Sequence, residues 1–269
     1  MDSSSRELKY PIYIVSKGRA DIPYTANFLK KENIDFKVAV EPQEYKEYCD
    51  SIGEKYILKL PFSNLGLGSY PARNYCFEHS KEIGAKKHFL FDDNIRGFYR
   101  LNEGKRTRSE AFIALKSLEE FSDRYSNLAI SGYNYLYFVT KETKKPFSIN
   151  THVYSGMLIN NSIKYRWRLK YNEDVDICLQ ALHDGLCTVL INVFLIDKIS
   201  TTVKLKGGNQ TELYKNNNDQ KKALKSSSLK EVWPDYVKIV SRFGRPHHHI
   251  SWNKYFKHPL IKNKDNLNG

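Results

Sequence analysis

Two clusters of carboxylates carry most of the chemistry this sequence could perform. The first, Asp92-Asp93-Asn94, follows directly on the apolar run 88–91. Two adjacent carboxylates after an apolar strand are costly unless a positive charge joins them, and a hard divalent cation takes oxygen ligands of this kind. An ion held there would bridge the phosphates of a bound nucleotide and neutralise a departing diphosphate. The plainer alternative is an Asx-turn, because Asp and Asn are common where strands end. The second cluster, Asn172-Glu173-Asp174-Val175-Asp176, opens a stretch of helical spacing. Acidic residues suit a helix N-terminus through capping and the macrodipole. Alternatively, one of these carboxylates points into a cleft and takes the proton of an acceptor hydroxyl.

Other polar groups stand where phosphates or sugars are commonly met. Ser16-Lys17-Gly18-Arg19 follows the first apolar segment, and Arg73-Asn74 lies just after the glycine-containing stretch 61–70. Gly207-Gly208-Asn209 offers backbone able to approach a ligand closely. Trp167 is either the wall of a sugar or base site or a core residue. His247-His248-His249 cannot all aim at one ion from an extended chain, since alternate side chains face opposite ways.

The elements that must position these groups read as β–α units. Short apolar strands are expected at 12–15, 34–40, 56–60 and 88–91, with helices at 22–31, at 42–52 and from about residue 71. Proline suits the first turn of the helix at 42. Alternation of this kind implies a mostly parallel sheet with sites at the carboxyl ends of its strands. Further on, a helix is expected at 111–121, β-prone segments at 128–140, 153–159 and 187–193, an amphipathic helix at 174–183 and another helix at 229–240. One catalytic domain over 10–203 with a basic extension over 204–269 packed on it accounts for the pattern.

Composition narrows the class. The chain has 269 residues, 41% hydrophobic and 27% charged, a globular balance that argues against disorder throughout. No apolar run reaches the roughly 18 to 20 residues needed to span a bilayer, and the first nine residues lack the apolar stretch of a signal peptide, so a soluble intracellular protein with no membrane partner is expected. Cys49, Cys76, Cys178 and Cys187 are scattered, as suits reduced thiols rather than a disulfide framework or a zinc site. Net charge is +13. Residues 201–269 hold fourteen Lys or Arg against five Asp or Glu, hence +9 in the last quarter. Such a surface attracts polyanions.

Taken in order, the motifs are Val15-Ser-Lys-Gly-Arg19, Gly68-x-x-x-Ala72-Arg73-Asn74, Phe91-Asp-Asp-Asn-Ile-Arg96, Asn172-Glu-Asp-Val-Asp176, Lys206-Gly-Gly-Asn209 and Arg242-Phe-Gly-Arg245-Pro-His247. Together, over residues 10–252, they resemble the TET/JBP-associated glycosyltransferases, best known from tailed bacteriophages, and close to them the phage DNA arabinosyltransferases. The resemblance implies an α/β, GT-A-like (Rossmann-like) nucleotide-sugar-binding fold with a mostly parallel central sheet. It implies UDP-sugar as donor, with an arabinose or glucose type of sugar, and manganese or magnesium as cofactor. The acceptor it implies is a hydroxymethylated pyrimidine, cytosine foremost, in phage DNA in the cytoplasm of an infected bacterium. By the same resemblance Arg73 approaches the diphosphate, with Ser16, Lys17, Arg19, Asn74, Gly207, Gly208 and Arg245 around the donor. Asp93 is the main metal ligand, Asp92 lies closer to ribose or sugar while also near the ion, and His247 joins late in the cleft. Asp174 is the base, Glu173 the alternative, and inversion at the anomeric carbon follows from a dedicated base. Trp167, Asn209 and Arg242 would face the acceptor. The acidic turn departs from the usual D-x-D spacing, which leaves the division between Asp92 and Asp93 open. Other readings are a glycan or protein acceptor, a non-catalytic DNA-binding module, and a nucleotidyltransferase that would release pyrophosphate.

Overall fold

The structure, a computed structural model, describes residues 7–140, 142–199, 207–208, 219–242 and 244–263. The N-terminal third alternates as expected. Strand β1 (Ile12–Val15) leads to helix α1 (Tyr24–Lys31), then β2 (Lys37–Val40), α2 (Tyr45–Ile52), β3 (Ile57–Lys59), α3 (Tyr70–Glu82) and β4 (Lys87–Asp92). β1 reads Ile-Tyr-Ile-Val and is almost wholly buried, the continuous apolar run that a strand covered on both faces requires. Pro71 lies in the first turn of α3, where its missing N–H costs nothing. β3, β2, β1 and β4 are neighbours in that order and all parallel. Val15 is registered against Asp92, so the turns after β1 and β4 emerge side by side.

The second half completes a ten-stranded sheet. Its elements are β5 (Ile95–Asn102), β6 (Lys105–Ser109), α4 (Ala111–Ser122), β7 (Leu128–Tyr135), β8 (Phe147–Ile149), β9 (Gly156–Asn160), α5 (Glu173–His183) and β10 (Cys187–Lys198). β9 slots between β4 and β7, antiparallel to both. Seven strands (β1–β4, β6, β7 and β10) share one direction, with β5, β8 and β9 opposed. The sheet is therefore mostly parallel in direction. Side chains alternate between its faces. Ile12 and Ile14 join Leu29, Tyr48 and Leu115 from α1, α2 and α4, while Tyr13 meets Phe77 and Ile177 from α3 and α5 on the other face.

Beyond β10 the described chain forms α6 (Asp219–Val232), the antiparallel pair β11 (Val237–Arg242) and β12 (Arg245–Ile250), and a short α7 (Trp252–Tyr255). The helix expected at 229–240 thus ends earlier. Pro234 cannot continue it, and residues 237–240 pair with β12 instead. Leu229, Val237, Ile250 and Phe256 pack on Val175, Leu179 and Leu182 of α5, which brings β12 over the sheet's carboxyl edge. Among the described residues no helix is long and apolar enough to cross a membrane.

His88, on β4, is fully buried. Its Nδ1–H donates to Asn161 Oδ1 at 2.6 Å, and Nε2 has no partner among the described residues. Burial lowers its pKa from 6.5 to about 4. The unfolded chain therefore takes up this proton first as pH falls, and the corresponding stability, full above pH 6.5, is lost between 6.5 and about 4. On the order of 3 kcal/mol should disappear over that window. Denaturant midpoints against pH should show the loss in the wild type and a shallower one in His88→Gln; equal slopes would remove His88 as its source.

Candidate functional site

A cavity of about 510 Å³ opens at the carboxyl ends of β1, β4 and β10. This is where loops leaving a largely parallel sheet build ligand sites, and the size suits a nucleotide-scale molecule. Its walls come from the turn after β1, the turn after β4, the start of α3, residues 152–155 before β9, the end of β10, the start of α5, Gly208 and the beginning of β12.

The two acidic motifs meet in this cavity through Arg73. Projecting from the first turn of α3, it donates from Nη2 to Asp92 Oδ1 at 2.8 Å, and its Nε lies 3.5 Å from Glu173 Oε1. Ser69 Oγ closes the group by donating to Glu173 Oε1 at 3.0 Å. Nineteen residues separate Asp92 from Arg73 and a hundred separate Arg73 from Glu173 (173 − 73), so only the fold makes them neighbours.

Lys198, the last residue of β10, takes the other oxygen of Asp92 at 2.6 Å and also donates to Ser155 Oγ at 2.6 Å. Ser155 is hydrogen-bonded in turn to the Tyr135 hydroxyl. Burial pushes the Asp92 carboxyl up, but Lys198 and Arg73 outweigh it and hold the group well below the usual carboxylate range. Burial likewise disfavours the Lys198 charge, and Asp92 and Tyr135 overcome that. The result is a fixed, desolvated cation on the cavity wall. Such a charge acts more strongly than one in water.

Asp93 is turned the other way, onto the strand-one turn. Its carboxylate accepts from Ser16 Oγ at 2.7 Å and pairs with Arg19. Burial raises its pKa despite both partners. Arg19 Nη2 also donates to Gly207 O at 3.2 Å, and Gly208 N donates to Lys17 O at 2.7 Å. Gly207 has φ +80°, and a Cβ there would stand 2.3 Å from Gly18 O. No other residue fits so close a backbone crossing.

At the head of α5, Asp174 Oδ2 lies 3.1 Å from His152 Nε2. Burial raises the Asp174 pKa, yet His152 and Arg73 bring it well below the normal value. Neighbouring Glu173 is raised by burial and by the Asp174 charge. The two adjacent carboxyls are thus driven in opposite directions, Asp174 toward its ionised form and Glu173 toward its neutral one. His247 and His248 face the same cavity from β12. Burial lowers His248 to about 4, with His152 acting in the same sense.

The cavity thus gathers Ser16, Lys17, Arg19, Arg73, Asp92, Asp93, Glu173, Asp174, Gly208 and His247, with Gly207 held against Arg19. Other expected residues stand apart from it. Asn74 spends both ends of its amide on the Trp167 backbone, at 2.8 and 3.0 Å. Trp167 is 1% exposed and packs on Phe77, so it is a core residue and no wall for an acceptor. Arg242 is exposed on β11 beside His249, outside the cavity wall. Arg245 is on β12, its side chain lying outside the described residues, as does Asn209. His152, Ser155, Tyr135 and Lys198 were not expected. A lysine ending an apolar strand run was the one signal available for Lys198.

A divalent ion on Asp93, Asp92 and His247 does not fit these side chains. All four carboxylate oxygens of the acidic turn already accept from Arg73, Lys198, Arg19 or Ser16. Three of those donors are cations, which would be pressed against the ion. Among the described residues no three His, Cys, Asp or Glu side chains converge as a ligand set. Around the cavity, Lys17, Arg19, Arg73, Lys170, Lys198 and Lys225 face Glu41, Asp92, Asp93, Glu173 and Asp174. Six basic side chains against five carboxylates give the wall a positive excess, which favours an anionic ligand such as a diphosphate.

A family model described as TET-Associated Glycosyltransferase matches residues 10–208. Among solved structures, a crystal structure described as a nucleotide-diphospho-sugar transferase from Desulfovibrio desulfuricans G20 is similar over 69% of this chain and 80% of that chain, at 8% sequence identity and a TM-score of 0.39. No protein of curated function matches the chain.

Proposed function

The chain belongs to the TET-associated glycosyltransferase family, and on that premise we propose that it transfers a sugar from a UDP-sugar to the hydroxyl of a hydroxymethylated pyrimidine, cytosine foremost, in phage DNA. The observation that supports this most is the meeting of Asp92-Asp93 and Glu173-Asp174 in one cavity around Arg73. Sugar transfer needs positive charge where the diphosphate departs and a proton acceptor where the alcohol arrives. Arg73 and Lys198 supply the first and Asp174 the second.

In the proposed reaction the acceptor oxygen attacks the anomeric carbon as the bond from that carbon to the phosphate oxygen breaks. The hydroxyl proton passes to Asp174, held by His152, and the electron pair of the broken bond stays on the nucleoside diphosphate beside the cations. A carboxylate base of this kind favours direct displacement and inversion. The sugar, of arabinose or glucose type, is chosen by the cavity wall around the transferred ring.

Donor turnover tests the reading in its simplest form. With a UDP-sugar the protein should release UDP; release of pyrophosphate from a nucleoside triphosphate and a sugar phosphate would make it a nucleotidyltransferase instead. Because fixed side chains neutralise the diphosphate here, the rate in excess chelator should stay within about threefold of the rate with manganese. Complete loss in chelator, restored by manganese, would return the acidic turn to metal binding.

A further inference from the structure

The hairpin of β5 and β6 and the loop that follows β7 form a surface that the reaction itself does not use. Tyr137 and Phe138 are adjacent and 64% and 65% exposed. Two neighbouring aromatic rings left in water usually mark a binding surface. The hairpin beside them is basic, with Arg96, Arg100, Lys105, Arg106 and Arg108 against Glu103 alone within 95–109. Arg106 and Arg108 are registered opposite Leu101 and Tyr99, and those two pack with Leu136 and Val139. The arginines therefore share a face with the aromatic loop.

Hydrogen bonds tie hairpin and loop into one surface. Arg106 donates to the Val139 carbonyl, and Arg96 Nη2 reaches the Tyr137 hydroxyl at 3.4 Å and Asp197 at 2.7 Å. Arg108 Nη2 donates to Arg96 O at 3.0 Å. Its guanidinium lies across Gly97, where any Cβ would come 2.9 Å from Nη2. Each guanidinium has five N–H donors, so these anchors leave donors turned outward. Besides Glu103, the carboxylates nearby in sequence or contact are Glu110, Asp197 and Glu142.

The surface also leads to the proposed base. Phe138 lies 5.1 Å from Tyr135 and 6.3 Å from Tyr154, centroid to centroid. Tyr154 is 4.9 Å from His152, whose Nε2 is 3.1 Å from Asp174. A row of rings thus runs from open solvent to the carboxylate that would meet the acceptor hydroxyl.

We propose that the acceptor nucleic acid lies along this face, its phosphates on Arg96, Arg106 and Arg108 and its bases stacked on Tyr137 and Phe138, with the modified base turned out of the stack toward Asp174. Aromatic faces accept any base and arginines track the backbone, the combination that single strands and unstacked bases require. This rests on the nucleic-acid acceptor of the proposed function, and it moves the track away from the C-terminal lysines that composition alone suggested.

The test is DNA binding by fluorescence anisotropy over a salt series, with UDP release from donor alone measured in parallel. Tyr137→Ala/Phe138→Ala should weaken binding at least about tenfold with the salt slope unchanged, since base stacking is uncharged. Arg106→Gln/Arg108→Gln should weaken it and flatten the slope by about two. Both should release UDP as the wild type does. Wild-type binding by both variants, with binding lost instead in Lys238→Gln/Lys254→Gln/Lys257→Gln, would overturn the placement and leave glycosyl transfer standing. A wild type that transfers sugar to saccharides and binds no DNA would overturn the acceptor as well.

Discussion

Asp174→Asn is expected to keep donor binding and slow sugar transfer by at least about a hundredfold. The amide has the same shape, and its Oδ1 can still accept from Val175 N, now 2.9 Å from the carboxylate, so the head of α5 should hold its conformation. Lost is the charge that attracts the hydroxyl proton. Burial opposes that charge, but His152 and Arg73 keep the wild-type carboxyl ionised far below the normal range, so it is available throughout the neutral range. Donor titration and single-turnover transfer should separate the two effects. Equal transfer rates at equal folding would take Asp174 out of the base role. His152, which touches Asp174 and no residue of the acidic turn, should give the same pattern with a smaller loss.

Lys198→Met should act at the other end of the reaction, slowing both transfer and donor hydrolysis by about a hundredfold or more. Lys198 is bonded to Asp92, Ser155 and Tyr135 at 2.6, 2.6 and 3.3 Å, an arrangement that fixes its charge before any ligand arrives. Preorganised charge of this kind needs no rearrangement as the leaving group becomes negative. Removing one member of a desolvated pair also leaves the other exposed to its burial cost. Thermal melting of Lys198→Met and of Lys198→Met/Asp92→Asn separates folding from catalysis, because the double variant loses both charges. Hydrolysis at the wild-type rate in a folded Lys198→Met would show that neutralisation comes from elsewhere. Recovery on adding manganese would name the source.

The parts of this site that local sequence exposed are those built from contiguous motifs. Asp92-Asp93 ends an apolar strand, Arg73 opens a helix after a glycine loop, and Glu173-Asp174 begins another helix; each carries its structural address with it. Gly207-Gly208 was legible as close-approach backbone, and it meets the β1 turn across 189 residues (207 − 18). His152, Ser155 and Tyr135 gave no such sign. They reach the cavity because β9 is inserted antiparallel between β4 and β7, a non-local pairing that periodicity does not encode. Trp167 misled for a related reason, since burial of an aromatic depends on what folds over it, here α3 and α5. The β5–β6 hairpin could have been read. Asn102-Glu103-Gly104-Lys105 joins its strands, and Glu103 and Gly104 both have positive φ, as the two central residues of a tight hairpin turn require. Its strands are arginine-rich and half exposed, so they lack the apolar run by which β1–β4, β7, β9 and β10 were found.

What joins cavity, base and basic face is the claim that a sugar ends on a DNA base. Double-stranded and single-stranded DNA containing hydroxymethylcytosine should be incubated with the protein and a panel of UDP-sugars, digested to nucleosides and weighed by mass spectrometry. Glycosyl transfer to DNA predicts a new nucleoside heavier by one sugar residue, formed with at least one donor and absent with unmodified cytosine. An unchanged nucleoside profile with every donor, from protein shown to be folded and to bind UDP, would contradict it.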